Sequence, residues 1–456
     1  MKGFVVAGTA TGVGKTTITA ALVAALRRRG LAVQPFKCGP DYIDPAHHSV
    51  LAGRPSYNLD TWMMSRGTNL SIFRTAMHNA DVAVVEGMMG LFDGVRGTSE
   101  EGSTAEIAKL LDLPVVLVAD ASNAARSIAA LVKGFGDFDP QLRISGVILN
   151  GAAGPAHWNL LREAIAGIEV LGSFPKLPEA ELAERHLGLV TAGERTWSKE
   201  QVRTLADAAQ AHIDFDRLLG GGDVSQATSA NAPAVSDLGS RDELVRIGIA
   251  RDQAFSFYYE SSLDALRAAG AELVTVSPLS DSSLPASLDG LYLGGGYPEI
   301  FAEQLAQNRP FLQSLKNFAA SDRLIYAECA GLMYLAEELT TRDGRGHGMA
   351  GLLPLAIEML DRLEGFGYTE VEVLEDCMVG TRGTRLRGHS FHYSRVTRTG
   401  NLDHRYRTRQ VLTGFENREG YCTGNILASY VHLSFAASPG AASQFVRNCR
   451  QARTAV

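Results

Sequence analysis

One stretch near the start of the chain constrains the fold more than any other. The apolar run Phe4-Val5-Val6-Ala7 passes directly into Gly8-Thr9-Ala10-Thr11-Gly12-Val13-Gly14-Lys15-Thr16-Thr17, and a helical pattern follows over 16–29. A β-branched strand that ends in a glycine-rich turn and opens a helix is the phosphate-binding unit of α/β proteins. Its glycines let backbone N–H groups turn toward phosphate oxygens. Lys15 then reaches the β/γ-phosphates, and the Thr16 hydroxyl is placed to ligate Mg²⁺. The expected nucleotide contacts are Gly12, Val13, Gly14, Lys15, Thr16 and Thr17. One position departs from the strict spacing: Thr9 stands where glycine is usual, with Gly8 one residue earlier.

Further apolar runs at 82–85, 115–118 and 144–149 alternate with helical stretches such as 124–133. This rhythm predicts a parallel, doubly wound α/β sheet buried on both faces. Such sheets gather functional side chains at the carboxyl ends of their strands. Glu86, directly after the run at 82–85, is therefore the expected metal carboxylate. The turn-rich Lys37-Cys38-Gly39-Pro40-Asp41-Tyr42-Ile43-Asp44-Pro45 carries two more acids. Either Asp41 or Asp44 is able to ligate Mg²⁺ or position an acceptor.

The segment 220–240 has no periodicity and few large apolar side chains, which marks a linker. It predicts an N-terminal domain over 1–220, a linker over 221–240 and a second domain over 241–456. Beyond it the βα rhythm restarts at 245–250, 273–276, 291–293 and 324–326, and a glycine-rich loop at 342–351 divides this half. The run at 324–326 leads into Ala327-Glu328-Cys329-Ala330-Gly331 and a short helical pattern. A thiol on such a strand-to-helix turn is exposed and feels the helix N-terminus, which is expected to lower its pKa. A thiol nucleophile also needs a base and an oxyanion hole. His432, in a strand-like run near the end, supplies the base. Gly295 and Gly296, which follow the run at 291–293, supply backbone N–H groups for the oxyanion hole.

Charge and cysteine usage exclude several classes. The 43 Lys and Arg against 50 Asp and Glu leave a net charge of −7, which disfavours nonspecific binding to nucleic acid. No apolar run has the ~18 residues needed to cross a membrane. The five cysteines include no CxxC pair, so neither a disulfide framework nor a zinc site is expected; a cytoplasmic protein fits. His47-His48 and His389-x-x-His392 lack a third ligand at metal spacing and read as loop residues or substrate contacts. Residues 380–409 carry eight arginines against one acid, Asp403, which suggests an anion site.

Taken together, GTATGVGKTT, KCGPDYIDP, NLDTWM at 58–63, VVEGMMGLFDG, LYLGGGYPE, AECAGLMYL and RGHSFHYS resemble the cobyrinic or hydrogenobyrinic acid a,c-diamide synthase family. The resemblance runs from the first strand to about Ser434. It implies an N-terminal P-loop domain similar to dethiobiotin synthetase and a C-terminal domain similar to class I glutamine amidotransferases. The implied reaction is amidation of the a and c acetate groups of a corrinoid polycarboxylate, with ATP, Mg²⁺ and glutamine. Cys329 would be the nucleophile and His432 its base. Thr16, Glu86 and Asp41 would be the metal residues, and Asp41, Tyr42, Ile43 and Asp44 the substrate contacts. A homodimer is compatible with all of this.

Three positions depart from the family pattern. Class I glutaminases usually carry Glu two residues after the catalytic His, and here that position is Ser434, so His432 lacks an obvious orienting partner. Ser390 replaces an expected acid within RGHSFHYS, and Ala327 stands where many glutaminases have Gly. Two competing readings keep the P-loop. One has the same chemistry acting on nickel-sirohydrochlorin or another acid. The other is a non-enzymatic ATP-switched partition protein, against which the Cys329, Gly295 and His432 set argues.

Overall fold

The computed structural model describes residues 2–177, 197–221 and 244–454, with the backbone of two short paired strands, Glu184–Arg185 and Gly188–Leu189. Apart from residue 221, the expected linker at 221–240 lies outside the described residues. The chain divides into two compact units, Met1–Ala232 and Pro233–Val456.

In the first unit, alternate residues of the strand Lys2–Gly8 serve two different cores. Phe4 and Val6 pack into one apolar cluster, Val5 and Ala7 into another. A strand buried on both faces must be apolar throughout, which is why it carries no polar alternation. The sheet has seven strands in the order Tyr57–Leu59, Val33–Cys38, Val82–Gly90, Lys2–Gly8, Val115–Asp120, Ile144–Asn150 and Val170–Phe174. All neighbouring pairs are parallel. The helix Lys15–Arg28 covers one face through Ile18, Leu22 and Ala25. Its N-cap, Gly14, is left-handed and offers no side-chain cap, and its first turn holds no acid. The free N–H groups of that turn therefore face the loop, a ready anion site.

In the second unit a ten-stranded sheet is parallel on one side and antiparallel on the other. Its parallel half runs Ala271–Val276, Val245–Ala250, Gly290–Leu293, Leu324–Glu328 and Ile426–Ser429. The antiparallel half continues through Glu416–Thr423, Asp403–Gln410, Gly365–Val373, Arg385–His392 and His432–Leu433. A four-stranded sheet packs beside it, and the segment expected as a loop at 342–351 contributes one of its strands, Gly346–Gly348, paired antiparallel with Glu338–Thr340.

Neighbouring acids account for five of the eight arginines in the expected anion site. Arg407 pairs with Glu372 at 3.2 Å, Arg409 with Glu370 at 3.5 Å, Arg395 with Glu358 at 2.6 Å and Arg398 with Glu337 at 2.8 Å. Arg405 is held by Asp403 at 3.1 Å and by Glu375. Apart from Asp403, these acids lie outside 380–409, so a count along that segment misses them. These pairs are largely exposed, and each is worth at most about 1 kcal/mol.

Candidate active sites

The phosphate loop is drawn closed from two directions. Lys15 Nζ donates to the Ala10 carbonyl at 3.2 Å, folding back over the loop. Asn150, at the end of its strand, donates from Nδ2 to the Val13 carbonyl at 3.0 Å. A Cβ on Gly14 would lie 2.2 Å from Asn150 Nδ2, and Gly14 has φ +92°. Gly14→Ala therefore both strains the backbone and displaces Asn150. It is expected to weaken nucleotide binding at least tenfold through a cost of about 1–3 kcal/mol. Calorimetric titration with ATP reads this directly; unchanged affinity would show that the loop does not hold the phosphates. Gly12 is also left-handed, Val13 is buried, and Thr17 is half-buried in the first turn.

Beside the loop lies a buried charge cluster. Thr16 Oγ1 donates to Glu86 Oε1 at 2.8 Å and lies 3.4 Å from Asp44 Oδ2. Lys37 Nζ sits among the acids, 2.6 Å from Asp44, 3.1 Å from Glu86 and 3.6 Å from Asp41. His48 Nε2 lies 2.7 Å from Glu86 Oε2, where it donates because an ionised carboxylate only accepts. Burial opposes charge throughout, yet the three carboxylates outweigh it and hold the Lys37 ammonium well above its ordinary value. Burial likewise pushes Glu86 up, but Lys37, His48 and the Thr16 hydroxyl together pull it below the usual carboxylate range. Lys15 is lowered, first by burial and then by Lys37.

Several expectations change here. Asp44, rather than Asp41, stands against Thr16 and Glu86. Asp41 Oδ1 instead accepts from the N–H groups of Ile43 at 2.8 Å and Asp44 at 3.2 Å, and so fixes the start of the helix Ile43–Ala52. The segment read as a turn-rich loop is half helix, with Tyr42 as N-cap and Tyr42 and Ile43 half-buried. His47 and His48 are buried helix residues rather than loop residues. His48 and Asn150 have no local sequence signature, because their partners Glu86 and Val13 are distant in the chain.

Hard oxygen donors from Thr16, Asp44 and Glu86 fit Mg²⁺, which takes one or two carboxylates and completes its shell with water and phosphate. Among the described residues, no three His, Cys, Asp or Glu side chains are arranged to hold an ion unaided. Lys37→Met would leave the buried carboxylates without their counter-charge. It is expected to cost about 3–5 kcal/mol, visible as a fall in the thermal unfolding midpoint. A midpoint equal to the parent's would mean that the acids are neutral in the folded chain.

In the second unit the thiol sits on a strained elbow. Cys329 has φ +48° and ψ −98°, between the strand Leu324–Glu328 and the helix Ala330–Leu335. A non-glycine residue there costs on the order of 1–3 kcal/mol, offset by the surrounding structure. The Cys329 N–H donates to Ser429 O at 2.7 Å, and Gly331 N–H donates to Gly294 O at 3.0 Å. A Cβ on Gly331 would lie 2.3 Å from Leu293 O, so glycine lets the elbow press on the neighbouring strand.

His432 lies against the glycine loop. A Cβ on Gly295 would come within 2.3 Å of His432 Cε1 and 3.2 Å of Nε2, so Gly295 makes room for the ring. The Gly295 N–H, expected as an oxyanion donor, is already given to Phe257 O at 3.3 Å. That leaves Gly296 from the expected pair. The Ala330 N–H, directed at the Cys329 thiol, is a donor the sequence reading missed. It follows Cys329, the position at which elbow enzymes place one of their two oxyanion donors.

The expected low thiol pKa is not found. Burial pushes the Cys329 thiol up, Glu299 adds to the effect, and the Ala330 N–H only partly opposes it. His432 is lowered to about 3, by burial first and then by His389 and His392. Burial thus favours the uncharged form of both the Cys329 thiol and the His432 imidazole. The Ser434 hydroxyl accepts from Ala437 N–H at 3.2 Å in a turn. Ser390 meets Thr369, with their hydroxyl oxygens 3.3 Å apart. His389 pairs with His432 across the strands, and His392 stacks on Tyr430 with ring centroids 3.8 Å apart. The RGHSFHYS segment thus lines the histidine side of this site.

Both units have relatives of known type. Residues 4–190 match the CobQ/CobB/MinD/ParA nucleotide binding domain, and residues 246–440 the CobB/CobQ-like glutamine amidotransferase domain. The chain is 47% identical to a cobyrinate a,c-diamide synthase of Syntrophotalea carbinolica over 457 residues, 98% of each chain. A cobyrinate a,c-diamide synthase of Leptospira interrogans is 41% identical over 447 residues, again 98% of each. One from Archaeoglobus fulgidus is 41% identical over 448 residues, covering 97% of this chain and 96% of that one. With a nucleotide-binding unit, an amidotransferase unit and such identity over nearly the whole length, the chain belongs to the cobyrinate a,c-diamide synthase family.

Proposed function

We propose that this chain amidates the a and c acetate carboxylates of cobyrinic or hydrogenobyrinic acid in cobalamin biosynthesis, using ATP and glutamine. The observation that carries the reading is the presence in one chain of two complementary sites. One is a phosphate loop with Thr16, Glu86 and Asp44 converging beside it, and the other is a strained Cys329 elbow with His432 packed on the glycine loop.

In the second unit, the Cys329 proton passes to His432 Nε2 as the sulfur bonds to the glutamine amide carbon. The carbon–nitrogen bond then breaks, His432 returns the proton, and ammonia leaves a glutamyl thioester that water hydrolyses to glutamate. Gly296 and Ala330 N–H groups receive the developing oxyanion. In the first unit, a substrate carboxylate attacks the γ-phosphate and becomes an acyl phosphate, which ammonia displaces. A carboxylate is a poor electrophile, so the phosphoryl group supplies the leaving group. Lys15 neutralises charge on the transferred group, and Asp41 and Ile43 border the acceptor position. Mg²⁺, held by Thr16, Asp44 and Glu86, would neutralise phosphate charge. We also place the enzyme in a reducing cytoplasm, supported by five free cysteines and by the lack, among the described residues, of a helix long and apolar enough to cross a membrane.

The test is a panel of hydrogenobyrinic acid, cobyrinic acid and nickel-sirohydrochlorin offered with ATP, Mg²⁺ and glutamine, read by mass spectrometry. Two successive one-unit mass decreases on a corrinoid acid are expected, since each replaces OH by NH₂. Amidation of nickel-sirohydrochlorin alone would transfer the same chemistry to that substrate. Turnover of none, with ATP-dependent self-association, would favour a switch protein.

A further inference from the structure

We propose that Glu328, the residue directly before the nucleophile, is the acid that orients His432 in place of the missing glutamate at position 434. The proposal deepens the amidotransferase reading and rests on it. Glu328 Oε2 lies 3.8 Å from His432 Nδ1, and both side chains are about 2% exposed. The same ring presents Cε1 and Nε2 to Gly295 in the glycine loop, while Nδ1 is the nitrogen nearest the acid.

The carboxylate is held from three sides. Tyr292 OH donates to Oε2 at 2.7 Å, Tyr326 OH to Oε1 at 2.7 Å, and Leu433 N–H to Oε1 at 2.9 Å. The Leu433 bond ties the acid to the residue next to His432, fixing the spacing between acid and ring. Two tyrosines directed at a buried carboxylate from neighbouring strands have no packing purpose that phenylalanine would not serve. They make sense as partners that hold a charge in place. Ser434 occupies the position from which such an acid would usually reach the histidine, and its hydroxyl serves a turn instead.

Glu328 acts through His432 and is a positioning residue. A carboxylate facing Nδ1 keeps the proton on that nitrogen, leaves Nε2 free to take the Cys329 proton, and stabilises the imidazolium that follows. The titratable groups facing Glu328 are Tyr258, Tyr292, Tyr326, Tyr406, Cys329 and His432, with His389 and His392 behind His432. Burial raises the Glu328 carboxyl to about 7, against the pull of its three donors. It is therefore ionised and orienting above that pH and protonated below it. Glutaminase kcat should fall as pH drops through about 7.

The experiment compares the parent with Glu328→Gln and Glu328→Asp in the full chain, measuring glutamate release and ammonia-driven amidation across pH. Glu328→Gln is expected to lower glutamine-dependent kcat on the order of a hundredfold or more, with KM for glutamine little changed. Ammonia-driven amidation should persist, and the residual glutaminase should lose the acid limb near pH 7. Glu328→Asp should recover part of the rate and keep that limb. The assignment is overturned if Glu328→Gln keeps kcat within about threefold of the parent. It is also overturned if ammonia-driven amidation falls equally, or if the acid limb survives in Glu328→Gln. A parent chain that releases no glutamate overturns instead the amidotransferase reading beneath it.

Discussion

Cys329→Ala should abolish glutamine-dependent amidation while leaving ammonia-driven amidation near the parent rate. In this mechanism the thiol forms the bond to the amide carbon, and His432 and the Ala330 N–H assist only that attack and the steps that follow it. Removing the nucleophile of a hydrolase in which the residues act as a unit costs on the order of 10⁶-fold. Alanine also relieves no clash, because the elbow's φ of +48° strains alanine as it strains cysteine. The backbone bonds from Cys329 N–H to Ser429 and from Gly331 N–H to Gly294 survive the change. Steady-state rates with glutamine and with ammonium salt at one pH would settle the matter. If both nitrogen sources fail together, the division of labour between the units is wrong.

Lys15→Ala should have the opposite signature and lose activity with both nitrogen sources. Ammonia without an activated carboxylate has nothing to displace. Lys15 is nearly buried, and its Nζ lies at the Ala10 carbonyl over the loop, so no exposed residue substitutes for it. Losing one preorganised charge at a transferring phosphoryl group costs about 10²–10³-fold in kcat, and more if binding also suffers. Glutamate release by the second unit need not fall in proportion, and this separates a lost phosphoryl step from a misfolded chain. Retained ammonia-driven amidation in Lys15→Ala would refute the acyl-phosphate route.

The phosphate loop was legible because its chemistry is local. Ten consecutive residues hold the strand end, the left-handed glycines, the lysine and the hydroxyl. The place of Glu86 beside the loop was legible for a related reason, since side chains at the ends of parallel strands gather on one crest of the sheet. The elbow at Cys329 could be read from a strand, a small-residue turn and a helix in succession. The family's architecture followed from these motifs taken as a set, and the matched domains bear it out.

What the sequence alone determined, then, is everything set by neighbours along the chain: the α/β class, the two motif sets and the placing of Cys329 on a strand-to-helix turn. Quantities set by neighbours in space belonged to the tertiary structure. Asp41 and Asp44 are equivalent as residue types, and the start of the helix Ile43–Ala52 turned one toward Thr16 and used the other as a cap. Arginines that looked unpaired along 380–409 met acids through strand register. The Cys329 thiol was expected to be acidic from its helix terminus, but desolvation by a closed site outweighs the dipole of a six-residue helix. Glu328 stands beside the nucleophile in plain sight. Only the strand that returns a hundred residues later brings His432 opposite it, because coupling between buried groups depends on distance and burial, which no local pattern encodes.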